Sequence, residues 1–142
     1  CFTSPQTACD VLKQVNGKKV IVWGNHDKKL RNSTEFASQR RLMGVVADHD
    51  YMEIDHTFDG KKYKICIMHF PIFSWNSMHH GSIMLHGHGH ASFDRRNTFG
   101  EYKRCMDIGV DGNSMMPHNM DDICSDMSRR DFNYEGHHDG SR

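Results

Sequence analysis

The 142-residue chain has no apolar run of eighteen residues, so no segment reads as a membrane-spanning helix. Its first residues, Cys1-Phe2-Thr3-Ser4-Pro5, lack both the basic and the apolar stretch of a secretory signal. No C-x-x-C pair occurs among Cys1, Cys9, Cys66, Cys105 and Cys124, and their gaps are wide and irregular. Neither a zinc knuckle nor a disulfide scaffold is supported; reduced thiols and a cytoplasmic localisation are expected. Net charge is also absent, because 18 Lys+Arg balance 18 Asp+Glu. Without a basic excess, neither strong nucleic-acid binding nor attraction to an anionic membrane is expected. Internal repeats and low-complexity tracts are missing too. What remains is a polar chain of single-domain size, with mean hydropathy −0.72.

Histidine is abundant: 12 residues, each an acid/base near neutral pH and a common metal ligand. Their placement depends on the elements around them. Ser4-Pro5 predicts a capped helix over 6–15, ended by Asn16-Gly17. Val20 to Trp23 is a short apolar run, expected to be a strand buried on both faces. Ser33 caps a predicted helix to Met43, and Val45-Val46 begins an extended piece. Tyr51–Phe58 and Lys62–Met68 read as a hairpin about the favoured turn Asp59-Gly60. Ser82–Leu85 and Tyr102–Val110 read as strands, and Met120–Arg129 as a weak helix. Residues 131–142 are polar and expected to fray.

One pattern recurs. Val20–Trp23 runs into Gly24-Asn25-His26-Asp27, Ile65–Met68 into His69, and Ser82–Leu85 into His86-Gly87-His88-Gly89-His90. If these strands share a sheet with like ends together, their polar tips converge on one rim. In open α/β sheets ligands bind at that edge. Neutral imidazoles with amide or carboxylate oxygens suit a borderline divalent cation such as Mn, Fe, Zn or Ni. Gly24, Gly87 and Gly89 are expected to take positive φ and let their neighbours aim inward. Each motif alone has a plainer reading, a turn or a solvated histidine; their joint occurrence after apolar strands carries the weight. His79, His80 and His86 flank the pattern and read either as contacts to a substrate phosphate or, by about two to one, as structural or solvated residues. His49, His56 and His118 lack motif context and read as surface residues, and His137-His138 as an incidental metal binder. Phe70, Phe73 and Trp75 read equally as pocket lining for a base or aryl group and as loop packing.

These motifs, in this order, resemble the calcineurin-like metallophosphoesterase family. The stretch from His69-Phe70-Pro71 through His79-His80-Gly81 to His90 is most similar to its small phage and bacterial branch, and Asp107 to Asn113 is similar to that branch's last core strand. The resemblance covers roughly residues 18–113. It implies an α/β fold, a metallophosphoesterase-type β-sandwich flanked by helices in four αββα layers. It implies hydrolysis of phosphomono- or phosphodiesters, nucleotide-like ones included, at two divalent metal ions. Asn25, His69 and His88 would bind one metal and His90 the other. His26 would be the catalytic histidine, and Asp27 would orient it. An Asn oxygen is a neutral hard ligand that leaves positive charge for the phosphate, and bound water acidified toward a pKa of ~7 supplies hydroxide at neutral pH.

The sequence also departs from the family. An Asp-x-His strand end and then a Gly-Asp strand end, both metal-binding, should precede Gly-Asn-His-Asp. Only 24 residues precede Asn25, and Asp10 is the sole acid among them. With Cys1 at the start, the expectation is a fragment lacking the first strands, with residues 1–113 as the C-terminal part of the family domain and 114–142 as a polar, partly disordered extension. Such a fragment needs the missing N-terminal segment for its full metal site, and alone should be weakly stable and poorly active. The alternative is a non-catalytic remnant or protein-interaction scaffold of the same fold. A histidine-rich metal store is a third, weaker option.

Overall fold

The computed structural model describes residues 4–90, 104–130 and 132. Among them the α/β expectation holds: helices and strands mix, and the strands form two sheets. The chain divides into two compact units, Cys1–Met52 and Glu53–Arg142.

In the first unit, helix α1 (Pro5–Gln14) begins where the Ser4 hydroxyl accepts the Thr7 N–H at 3.2 Å, with Pro5 at the position that needs no donor. Strand β1 (Lys19–Val22) lies parallel to β2 (Val45–His49). Between them come two short helices, α2 (Lys28–Arg31) and α3 (Thr34–Gln39). Ser33 caps α3 as the sequence predicts, but the helix ends well before Met43. Residues 40–43 wind into turns instead, and Gly44, at φ 70°, receives them next to β2. The core joins Ala8 and Cys9 of α1 to Trp23, Leu30, Phe36, Met43 and Val45. Trp23 meets Phe36 edge to face at 5.5 Å, and its indole N–H donates to Asp48 Oδ2 at 2.8 Å. β1 is not buried on both faces as its apolar run suggests, since Val20 is 45% exposed. Among the described residues its sheet has two strands, and Val20 is the exposed position while Lys19, Ile21 and Val22 are half-buried.

The second unit is built on the order β3-β4-β5-β6. Strands β3 (Tyr51–Phe58) and β4 (Lys61–Met68) form the expected hairpin, with Asp59 at φ 49° and Gly60 at φ 71°. Positive φ at both turn residues matches the right-handed twist of the flanking strands. β5 (Ile83–His86) and β6 (Cys105–Asp107) continue the sheet, each parallel to its predecessor. β5 is buried throughout, as a central strand covered on both faces should be. Its Ile83 and Leu85 join Tyr63 and Ile65 under helix α4 (Met120–Ser128), through Ile123, Cys124 and Met127. Met84 faces the other way, with Cys66 and Cys105, against Trp75 and Met78 of the β4–β5 connection. Trp75 is therefore core, its indole N–H donating to the Ser82 carbonyl at 3.3 Å.

The helix within 114–142 is thus an integral part of this unit, and the fraying expected over 131–142 falls, apart from Phe132, outside the described residues. His56 is half-buried, with Nε2 2.7 Å from Asp121 Oδ1 at the start of α4. Among the described residues no helix is long and apolar enough to cross a membrane.

Candidate metal centre

Because β4, β5 and β6 run parallel, their C-terminal ends form one rim of the second unit's sheet. β4 delivers His69 there, β5 delivers His86, His88 and His90, and β6 delivers Asp107 and Asp111. The ends of β4 and β5 are locked together where the Gly87 N–H donates to the His69 carbonyl at 3.1 Å. That bond sets the side chains as well: His88 Nδ1 lies 3.2 Å from His69 Nε2. One ring must carry a proton between these nitrogens and the other a lone pair. Zn–N bonds of about 2.0–2.1 Å at a tetrahedral angle set two nitrogens roughly 3.3 Å apart, so a divalent ion fits in place of that proton. Phe70 packs against both rings, with centroids 4.9 Å from His69 and 4.7 Å from His88.

The loop after β5 corrects the reading of its glycines. The described glycines in the left-handed region are Gly17, Gly44, Gly60 and Gly81, and Gly24, Gly87 and Gly89 are not among them. The histidines themselves are there, His88 at φ 58° and His90 at φ 48°. The Gly89 N–H donates back to the Gly87 carbonyl, so His88 is the middle of a tight three-residue turn. A β-carbon in this region costs about 1–2 kcal/mol, less for His than for most residues. A β-carbon on Gly87 would make ordinary contact with His69 Nδ1, at 3.7 Å.

His90 Nδ1 is hydrogen-bonded to Asp111 Oδ2, which holds the Asp111 carboxyl below the usual carboxylate range. A histidine held through Nδ1 by a carboxylate presents Nε2 outward, the usual arrangement behind a metal-binding imidazole. His86 is buried, with Nδ1 2.9 Å from the Gly87 carbonyl and 4.0 Å from Asp107 Oδ2. Asp107 Oδ1 accepts the Gly109 N–H at 2.9 Å. Gly109 is confined there, since a β-carbon would stand 2.7 Å from Asp111 Oδ1 and 3.1 Å from Asp107 Oδ1. Asp107 and Asp111 are not among the site residues assigned from the sequence. The signal for them is the His86–Asp107 register pair between β5 and β6, which the residue order alone does not reveal.

In the first unit, Asn25 and His26 are exposed on the turn that follows β1, and Asp27 is half-buried. The Asp27 carboxylate accepts the Gly24 N–H at 2.8 Å, closing this turn at the start of α2. Asn25, His26 and Asp27 thus stand at the tip of β1, and His69, His88 and His90 at the rim of the other sheet. Among the described residues no group of three or more His, Cys, Asp or Glu is arranged to hold a metal ion. The ring nitrogens of His69 and His88 stand within chelating distance of one ion. Comparisons with protein-family models, with curated proteins and with solved structures find no match to this chain.

Proposed function

We propose that the protein is a metal-dependent phosphoric ester hydrolase of the metallophosphoesterase type, with a β-sandwich fold of that family. The 3.2 Å approach of His88 Nδ1 to His69 Nε2 carries this reading, because it fits two ligands of one divalent ion at a parallel-sheet rim. The left-handed φ of His88 and His90 supports it. Strained non-glycine residues cluster at functional sites, where the side chain is worth the strain.

In this reading His69 and His88 bind one cation and His90, oriented by Asp111, a second. By the family resemblance, Asn25 would supply a neutral oxygen ligand, and His26, with Asp27 behind it, would donate a proton to a leaving oxygen, a role worth roughly 10²–10⁴-fold. The cations, Mn, Fe, Zn or Ni, polarise the phosphoryl group and generate the nucleophile from water when bound. Substrates are phosphate esters, nucleotide-like ones among them, and the setting is cytoplasmic. Hydrolysis of an aryl phosphodiester with added Mn²⁺, measured for the chain and for His69→Ala, His88→Ala and His26→Ala, tests it. Metal-dependent turnover lost in all three variants is the expected result. Tight cation binding without turnover would favour the scaffold reading.

A further inference from the structure

Three aromatic residues follow His69, and the structure separates them. Trp75 is 6% exposed and belongs to the core with Cys66, Met78, Met84 and Cys105. Phe73 is 75% exposed. Phe70 is neither core nor free of the site: it is 39% exposed, and its ring packs against His69 and His88. The three ring centroids form a triangle, with His69 and His88 5.1 Å apart and Phe70 4.9 Å from one and 4.7 Å from the other. The following Pro71 disfavours helical backbone at Phe70, which holds this ring at the end of β4.

Phenylalanine has no donor, no acceptor and no proton to give, so this ring is not a ligand or an acid. What it offers is an apolar π-face. Neither histidine lies flat on it, since the ring planes meet at 78° with His69 and at 58° with His88. With part of the residue open to solvent, ring surface is left for a third planar partner. That surface adjoins both of the imidazoles whose nitrogens stand 3.2 Å apart. A phosphate ester held there therefore has its organic group beside Phe70, and a planar aromatic group gains most from it.

We propose that Phe70 is a specificity-determining residue, its ring stacking on the planar aromatic group of an ester whose phosphate is held at the His69–His88 centre. The inference rests on the metal-centre reading and adds the class of organic group. Its test is calorimetric titration of the full chain, carrying one equivalent of Zn²⁺, with two matched pairs of phosphomonoesters. Adenosine 5′-monophosphate is compared with ribose 5-phosphate, and phenyl phosphate with cyclohexyl phosphate. In at least one pair the aromatic member should bind about tenfold tighter, the usual scale of stacking on an aromatic side chain. The pair that shows it tells whether a nucleobase or a directly attached aryl ring is the partner. Phe70→Tyr should keep the preference and Phe70→Leu should abolish it. A ring that only packs on the histidines would, when replaced by leucine, weaken both members of a pair alike and leave their ratio unchanged. That result, or equal binding within both pairs by the wild type, would overturn the stacking proposal while Zn²⁺ still binds. A wild-type chain that takes up no Zn²⁺ would instead remove the metal-centre reading, and this proposal with it.

Discussion

His88 Nδ1 and His69 Nε2 stand 3.2 Å apart although they lie nineteen positions apart in sequence. Nothing in their local chain brings them together. The parallel pairing of β4 with β5 does, together with the backbone bond from Gly87 to His69. The pair is thus a product of sheet register, and its consequences can be tested one residue at a time.

His88 should be better placed for binding than for stability. At φ 58° glycine relieves the β-carbon, while the freer unfolded chain offsets part of the gain. His88→Gly should leave the thermal midpoint in metal-free buffer unchanged or raise it by a few degrees, for a gain of up to about 1 kcal/mol. In saturating cation the order should reverse, because binding at about 100 times Kd stabilises the wild type by roughly 2.7 kcal/mol. A midpoint several degrees lower for the variant in metal-free buffer would mean that the ring is there for packing.

Gly109 should tolerate no side chain. A β-carbon 2.7 Å from Asp111 Oδ1 and 3.1 Å from Asp107 Oδ1 forces one carboxylate to move. Asp107 is buried and Asp111 exposed, so Asp111 should swing away and release His90. Gly109→Ala should cost about 1–3 kcal/mol, the usual range for overpacking, and alter the His90 imidazole NMR signals. An unchanged His90 spectrum would show that Asp111 does not hold this ring.

Acid should loosen the first unit through Asp48. Its carboxyl is held below the ordinary range, first by the Trp23 indole N–H at 2.8 Å and then by Arg40. A depressed folded pKa contributes stability that is complete above the unfolded value of about 3.9 and is lost as pH falls through the folded one. Trp23 fluorescence, isolated in a Trp75→Phe background, should therefore stay native at pH 5 and change only below about pH 4. Asp48→Asn should weaken the unit at neutral pH and flatten that acid limb. An equally steep limb in Asp48→Asn would place the acid sensitivity elsewhere.

Much of the fold was legible wherever a local rule governs a local outcome. Ser4 and Ser33 cap their helices, and Asp59-Gly60 turns the β3–β4 hairpin, because those bonds form within a few residues. Legibility fails where neighbours decide. The Val20–Trp23 run reads as a strand buried on both faces, yet among the described residues its sheet has two strands and Val20 is 45% exposed. The strand expected to run to Val110 ends at Asp107, because the Asp107 carboxylate turns the chain at Gly109 into a single 3₁₀ turn over Val110–Gly112. The site follows the same division. His69 and His88 can be picked out as residues that follow apolar strands. Asp111 cannot, since its bond to His90 depends on β6 lying beside β5.

Calorimetric titration of Zn²⁺ into the EDTA-treated chain measures whether the His69–His88 pair takes up a divalent cation. His137 and His138 are first replaced by alanine so that the tail does not compete. A defined site is expected in this background, weakened at least about tenfold in both His69→Ala and His88→Gly. Unchanged affinity and stoichiometry in those two variants would contradict it.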